Sequence, residues 1–179
     1  MKAFSVLGAA VLLGLASAGL AGCGYHVGGV KPAALSRMDS FCVEMFTNTS
    51  TQPQVSMQLT SALTDALQSD GTYRLVRRGA ADFVVSGQVV SITPVSLTTD
   101  WRDTYRSSEI GLLLKVRYVV RDGKSGEELT SGVFTTESSY FNQDGVNVQN
   151  ARINALSYAA RQAADEIAAR LTSPWLIIP

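Results

Sequence analysis

The stretch Ile110–Arg121, IGLLLKVRYVVR, alternates so regularly that it constrains the whole fold. With a period of two, Leu112, Leu114, Val116, Tyr118 and Val120 fall on one side, and Leu113, Lys115, Arg117, Val119 and Arg121 on the other. The first set needs an apolar cover, and the second carries three charges that need water or a partner. A chain containing this strand must build a sheet with one covered face and one open face.

The flanking segments supply the rest of that sheet. DGKSGE directly after the strand is a turn signal, so Glu128 to about Tyr140 is expected to pair back as an antiparallel hairpin. Asp82 to Leu97 reads as a long strand in which Pro94 suggests a bulge or an edge. Between the two long strands, TTDWRDTYRSSE reads as a polar loop. Ser40–Phe46 is a short run of strand formers, followed by the polar loop TNTSTQP. TYRLV offers at most a further short strand.

The covers come from two helical patterns. In VSMQLTSALTDALQSDG, Val55, Leu59, Ala62, Leu63, Ala66 and Leu67 recur at 3.6-residue spacing; Pro53 suits the first turn and Gly71 the position past the end. In the last helix, after the loop NQDGVNVQN, Ile153, Leu156, Ala160, Ala163, Ile167 and Leu171 form one stripe, and Pro174 ends it. The expected fold is α+β: two helices packed on one face of a four-stranded mixed sheet, in the order β-α-β-β-β-α. It occupies residues 40–175 as a single domain, with 176–179 as a C-terminal tail.

Ahead of the domain, Ala3–Gly22 contains no charge, follows Lys2, and closes on small residues. That is the layout of a secretory signal peptide. A transmembrane helix competes, since about 20 apolar residues span a bilayer, but Gly8, Gly14, Ser17 and Gly19 dilute the stretch and no basic flank follows Cys23. Leu20-Ala21-Gly22-Cys23 resembles the bacterial lipobox, which implies residues 1–22 as signal peptide and a covalent lipid on Cys23 in place of any cofactor. Several acyl chains hold a protein on a membrane where one barely does. Gly24, where such lipoproteins often carry an inner-membrane retention aspartate, favours the outer membrane. Residues 23–39 lack clear periodicity and read as the lipidated tether.

Removing 22 of 179 residues leaves 157, enough for one domain with a real core. The 15 basic and 15 acidic residues cancel, and loss of Lys2 leaves the mature chain near neutral, which gives no case for nucleic acid. With Cys23 acylated, Cys42 has no partner in the chain and reads as a buried inert thiol in FCVEMF. One free cysteine and one histidine, His26 in the tether, assemble no zinc ligand set and no Ser-His or Cys-His pair. No phosphate-binding loop is present. Asp100/Asp103 and Glu127/Glu128 sit in loops or turns, where solvated charges are the ordinary case. The chain is not expected to be an enzyme, and no metal is expected.

CGYHVGG, EMFTNTSTQP, QLTSALTDALQSDGTYRLV and ADFVVSGQVVSI, in this order, resemble the LPS-assembly lipoprotein family LptE. The shared pattern falls at Cys23-Gly24-Tyr25, at Phe46-Thr47-Asn48-Thr49 before Gln52-Pro53, at Leu59–Leu63 and at Ala81–Val89, and the last helix continues it. The resemblance implies a non-catalytic lipoprotein on the periplasmic face of the outer membrane. It would be the partner and plug of an LptD-like β-barrel, assisting lipopolysaccharide delivery to the outer leaflet. Small lipoproteins of the LpoB-like and CsgG-like kinds, which serve peptidoglycan synthases or secretion channels, share the strand–helix–strand opening and are the alternative.

On that reading two groups are candidate contacts to lipopolysaccharide or the barrel. Lys115, Arg117 and Arg121 form a basic stripe on the open face, where arginine suits phosphate through its planar paired donors; an ordinary solvated face with partners such as Glu137 is the competing account. Trp101, Arg102, Tyr105 and Arg106 combine the aromatic and arginine side chains common at binding anchors.

Overall fold

The computed structural model describes residues 31–100, 103–142 and 147–173; within the strands, the side chains of 98–100 and 103–108 are outside that description. Six strands and two long helices follow one another as β1 (Ser40–Val43), β2 (Thr47–Asn48), α1 (Gln54–Asp70), β3 (Arg74–Leu75), β4 (Phe83–Asp100), β5 (Asp103–Asp122), β6 (Glu128–Phe141) and α2 (Val148–Thr172).

The α+β class and the two helices on a mixed sheet agree with the sequence reading. The strand count and order do not. The sheet has six strands rather than four, ordered β3-β1-β4-β5-β6, with β2 also on β4. β1 lies parallel to both β3 and β4, while β4, β5 and β6 form an antiparallel meander. Of the added strands, β3 falls within TYRLV, the segment read as a further short strand, and β2 falls within TNTSTQP, the segment read as a polar loop; β2 is two residues, too short to show alternation. β2 resumes the path of β1 along β4 after a break at Glu44–Phe46, with Thr47 opposite Gln88. At the break the Phe46 ring turns into the core over Gly87, where a Cβ would lie 2.2 Å from Phe46 Cε1.

A second correction concerns the segment read as a polar loop before Ile110. Its described residues are paired backbone, with Thr98 opposite Glu109, Thr99 opposite Ser107 and Asp100 opposite Asp103, and the register shifts repeatedly there. The reason is cover. β4 is largely exposed from Thr93 onward, and its residue Leu97 is 55% exposed. A strand pair with little apolar cover needs no apolar alternation, so its sequence looks like a loop.

The core lies between the sheet and the helices. Leu112, Leu114, Val116, Tyr118 and Val120 are all buried, as the alternation requires. α1 buries Val55, Leu59, Leu63 and Leu67; Pro53 precedes it and Gly71 ends it at φ 76°, the left-handed conformation that glycine adopts without a Cβ penalty. In α2 the buried set is wider than the expected stripe: Ala155, Ala159, Ala164 and Ala168 join Leu156, Ala160, Ala163, Ile167 and Leu171, because this helix packs on α1 as well as on the sheet. Ile153, placed on that stripe by its spacing, is only half-buried. Asn147 caps α2, its side chain accepting from Asn150 N at 3.1 Å.

The packed chain begins before Ser40. A 3-10 turn, Ala33–Leu35, buries Leu35 completely. No described helix is long and apolar enough to cross a membrane.

Candidate functional site

The residues that carry the family resemblance turn out to be joints of the fold. Asp82 Oδ2 accepts from Ser40 Oγ at 2.8 Å, Ser40 N at 3.1 Å and Asp39 N at 3.2 Å, which ties the start of β1 to the start of β4. Those bonds, the Ser40 hydroxyl first, hold the Asp82 carboxyl below its ordinary range, and Lys124 adds to the effect. Thr47 Oγ1 donates to Gly87 O and Thr49 Oγ1 to Val89 O, at 3.2 and 3.0 Å. Asn48 donates to Gln52 O at 2.7 Å and accepts from Ser50 N at 2.8 Å, folding the loop into α1. These side chains are occupied by their own chain, and the candidate site has to be sought elsewhere.

It lies on the sheet face opposite the helices. Lys115 and Arg117 are exposed there, two residues apart on β5, so their Cα atoms are about 7 Å apart. Arg121 continues the row and donates from Nη1 to Ser86 Oγ at 3.1 Å. The strands on either side are mostly uncharged along this face. Gln88 and Val133 flank Arg117, Ser91 and Thr135 flank Lys115, and Glu128 stands opposite Arg121. Among the described residues, neither Lys115 nor Arg117 makes an ion pair or a side-chain hydrogen bond. Glu137, the anticipated partner, stands opposite Leu113, diagonal to Lys115, with no ion pair between them. The row is therefore two unpaired cations and one held by a serine, over a neutral ladder edged with acids.

The second group divides. Tyr105 and Arg106 belong to the backbone of β5, and Trp101 and Arg102 lie outside the described residues, as do Cys23 and His26.

Cys42 is half-buried rather than buried, because Phe41 takes the inward position of β1 and Cys42 falls on the opposite side beside Val84. Burial pushes its thiol up, Glu44 adds to the rise and Arg78 opposes it, which leaves the sulfur a poor nucleophile. Arg78 and Glu44 pair at 2.6 Å.

A groove of about 670 Å³ lies between the outer faces of α1 and α2, lined by Met57, Asp65, Arg161 and Asp165 among others. Among the described residues no group of three or more His, Cys, Asp or Glu is placed to hold a metal ion. Sequence reasoning overlooked the exposed apolar side chains Val133 and Phe141 on β6. Their alternation with Thr135 and Glu137 was the available signal, since all four share one side of the strand.

An α+β domain with two helices over one face of a mixed sheet defines the class, and several solved structures are similar to it. A PelC dodecamer from Paraburkholderia phytofirmans matches with 17% identity over 80% of this chain and 94% of that one, at a TM-score of 0.51. XCC0632 from Xanthomonas campestris matches with 11% identity over 77% and 87%, at 0.52. The rare lipoprotein B of Shewanella oneidensis matches with 19% identity over 71% and 92%, at 0.47. Comparison with curated protein sequences gives no match. The chain belongs to the LptE family, described as lipopolysaccharide-assembly, which it matches over residues 38–171. This is a family of non-enzymatic lipoproteins of the bacterial envelope.

Proposed function

We propose that this protein is anchored by lipid on Cys23 to the periplasmic face of the outer membrane. There it acts as partner and plug of an LptD-like β-barrel, assisting delivery of lipopolysaccharide to the outer leaflet. The observation that carries the reading, beyond family membership, is the uncovered basic row of Lys115, Arg117 and Arg121. Two of its three charges have no partner in the described chain, so they are available to phosphate groups or to acidic side chains of a barrel lumen. A strand pair of this length also suits insertion. β4 has 18 residues and β5 has 20, so the hairpin reaches roughly 60 Å from the base of the sheet.

Affinity purification from detergent-solubilised outer membrane tests the partnership. The tagged chain should recover a large β-barrel in stoichiometric yield; recovery of a peptidoglycan synthase or a secretion channel in its place would overturn the proposal. The anchor has its own test. Wild-type protein should take up labelled fatty acid and Cys23→Ala should not, and a wild-type chain that takes up none refutes the lipid.

A further inference from the structure

β6 forms one edge of the sheet, and among the described residues no strand pairs with its outer side. It is 14 residues long, and its sequence, ELTSGVFTTESSYF, contains no lysine, arginine or proline. An edge strand presents a free N–H and C=O at every second residue, and those missing residue types are the ones that ordinarily shield it. The opposite edge, β3, is only two residues long.

A trough runs beside this long edge. Two concavities, of about 650 and about 400 Å³, share Glu137 and Gln162 in their linings. The smaller is lined by the consecutive residues Phe134, Thr135, Thr136 and Glu137, which point alternately to the two sides of β6. It therefore lies at the strand's edge and not over one face. The other wall is a single row on α2: Asn154, Tyr158, Gln162, Glu166 and Arg170, each four residues from the last. That row is about 24 Å long, the length of about seven extended residues. The two walls are fixed to each other. Thr136 Oγ1 donates to Ala159 O at 3.2 Å, and the Arg170 guanidinium lies 5.4 Å from the centroid of the Phe134 ring.

An edge walled by a helix has room for an added strand, and the side chains define which strand. Val133, Thr135, Glu137, Ser139 and Phe141 are exposed on one side of β6. Glu137 makes no ion pair or side-chain hydrogen bond among the described residues. A strand paired antiparallel to β6 is best matched by a cation opposite Glu137 and apolar side chains four residues to either side, opposite Val133 and Phe141. A second copy of β6 does not meet that demand. The register that sets Val133 opposite Phe141 of the second copy also sets Glu137 opposite its own counterpart, and like charges directly opposite destabilise.

We propose that the trough between β6 and α2 binds an extended segment of a partner polypeptide, which joins the sheet antiparallel to β6. The segment carries apolar, cationic and apolar residues at four-residue intervals. Backbone hydrogen bonds along the edge supply affinity, and the alternate side chains select the partner. The site is separate from the basic row, and the inference does not rest on the proposed barrel partnership.

The probe is a labelled peptide, acetyl-Val-Thr-Ser-Thr-Arg-Thr-Ser-Thr-Phe-amide, titrated into the full-length chain in detergent micelles and followed by fluorescence anisotropy. The expected result is saturable binding with one peptide per chain. Methylating the backbone nitrogens of one alternate set of peptide residues should abolish it, and methylating the other set should not. Replacing the peptide's arginine by glutamate should weaken binding roughly tenfold, and Glu137→Lys should reverse that preference. If Glu137→Lys does not fold, the charge-reversed peptide on the wild-type chain decides, and equal affinities refute the proposed cation. Absence of saturable binding to the wild-type chain overturns the proposal. Binding that neither methylated set changes also overturns it, since such a peptide is not paired as a strand. A chain that sediments as a dimer and takes no peptide assigns the edge to a second copy, with the same consequence.

Discussion

Ser40 and Asp82 bond each other in both directions: the Ser40 hydroxyl donates to Asp82 Oδ2 at 2.8 Å, and Asp82 N donates back to Ser40 Oγ at 3.1 Å. Ser40 is buried, and it opens β1 where Asp82 leads into β4. This pair fixes the register of two parallel strands separated in sequence by a whole helix.

The pair makes the domain acid-sensitive. Because the Asp82 carboxyl is held below its ordinary value, its contribution to stability is complete above the unfolded-state value near pH 4 and is lost as pH falls through the lower folded value. Denaturant titrations of wild type and Asp82→Asn should therefore differ most above about pH 4 and converge below it. A difference that grows toward acid pH would refute this account.

Gly123 is tightly enclosed. A Cβ there would lie 1.9 Å from Ala81 O, a backbone atom, so the turn after β5 would have to move. Gly123→Ala is expected to cost about 1–3 kcal/mol. Gly79→Ala, with nothing within 4 Å of the new atom, should be neutral or stabilise by up to about 1 kcal/mol. Thermal unfolding of the two variants checks the contrast.

Ile167 and Leu156 are buried in the core between α2, α1 and the sheet. Truncation of either to alanine leaves a cavity, at an expected cost of about 2–5 kcal/mol. Unchanged melting temperatures in both would mean that α2 does not pack into the core as described.

Tyr73→Phe removes only the hydroxyl that reaches Leu171 O. The expected loss is about 0.5–1.5 kcal/mol, since the packing of the ring on Phe83 remains. Equilibrium unfolding by urea should show a lower midpoint with an unchanged slope.

Lys115→Glu with Arg117→Glu tests the basic row. If it meets lipopolysaccharide phosphates, binding should weaken and what remains should depend less on salt, because exposed charge pairs are screened over about 8 Å at physiological ionic strength. Intact lipopolysaccharide binding with reduced recovery of the barrel would place the row against protein. If neither property moves, the row is a solvated face.

The alternation in Ile110–Arg121 was enough, by itself, to decide which side of β5 would be buried and which would carry the charges. Period and propensity are local, and a strand with one apolar side has one way to bury it. The two helices were legible for the same reason, down to Gly71 at the end of α1. Three things were decided only in the folded chain. β2 exists because β4 offers it backbone partners, and two residues inside a polar segment cannot announce that in sequence, whereas β3 falls within TYRLV, which reads as a short strand. The segment before Ile110 became strand because pairing needs only backbone groups once a face has no core to meet. Leu35 entered the core from a stretch without periodicity, because burial there depends on what lies across the base of the sheet. The candidate site divides along the same line. The sequence placed Lys115, Arg117 and Arg121 on one face, but that Lys115 and Arg117 stand unpaired while Arg121 is held by Ser86 was set by the register of three strands, a property of the sheet and not of any one segment.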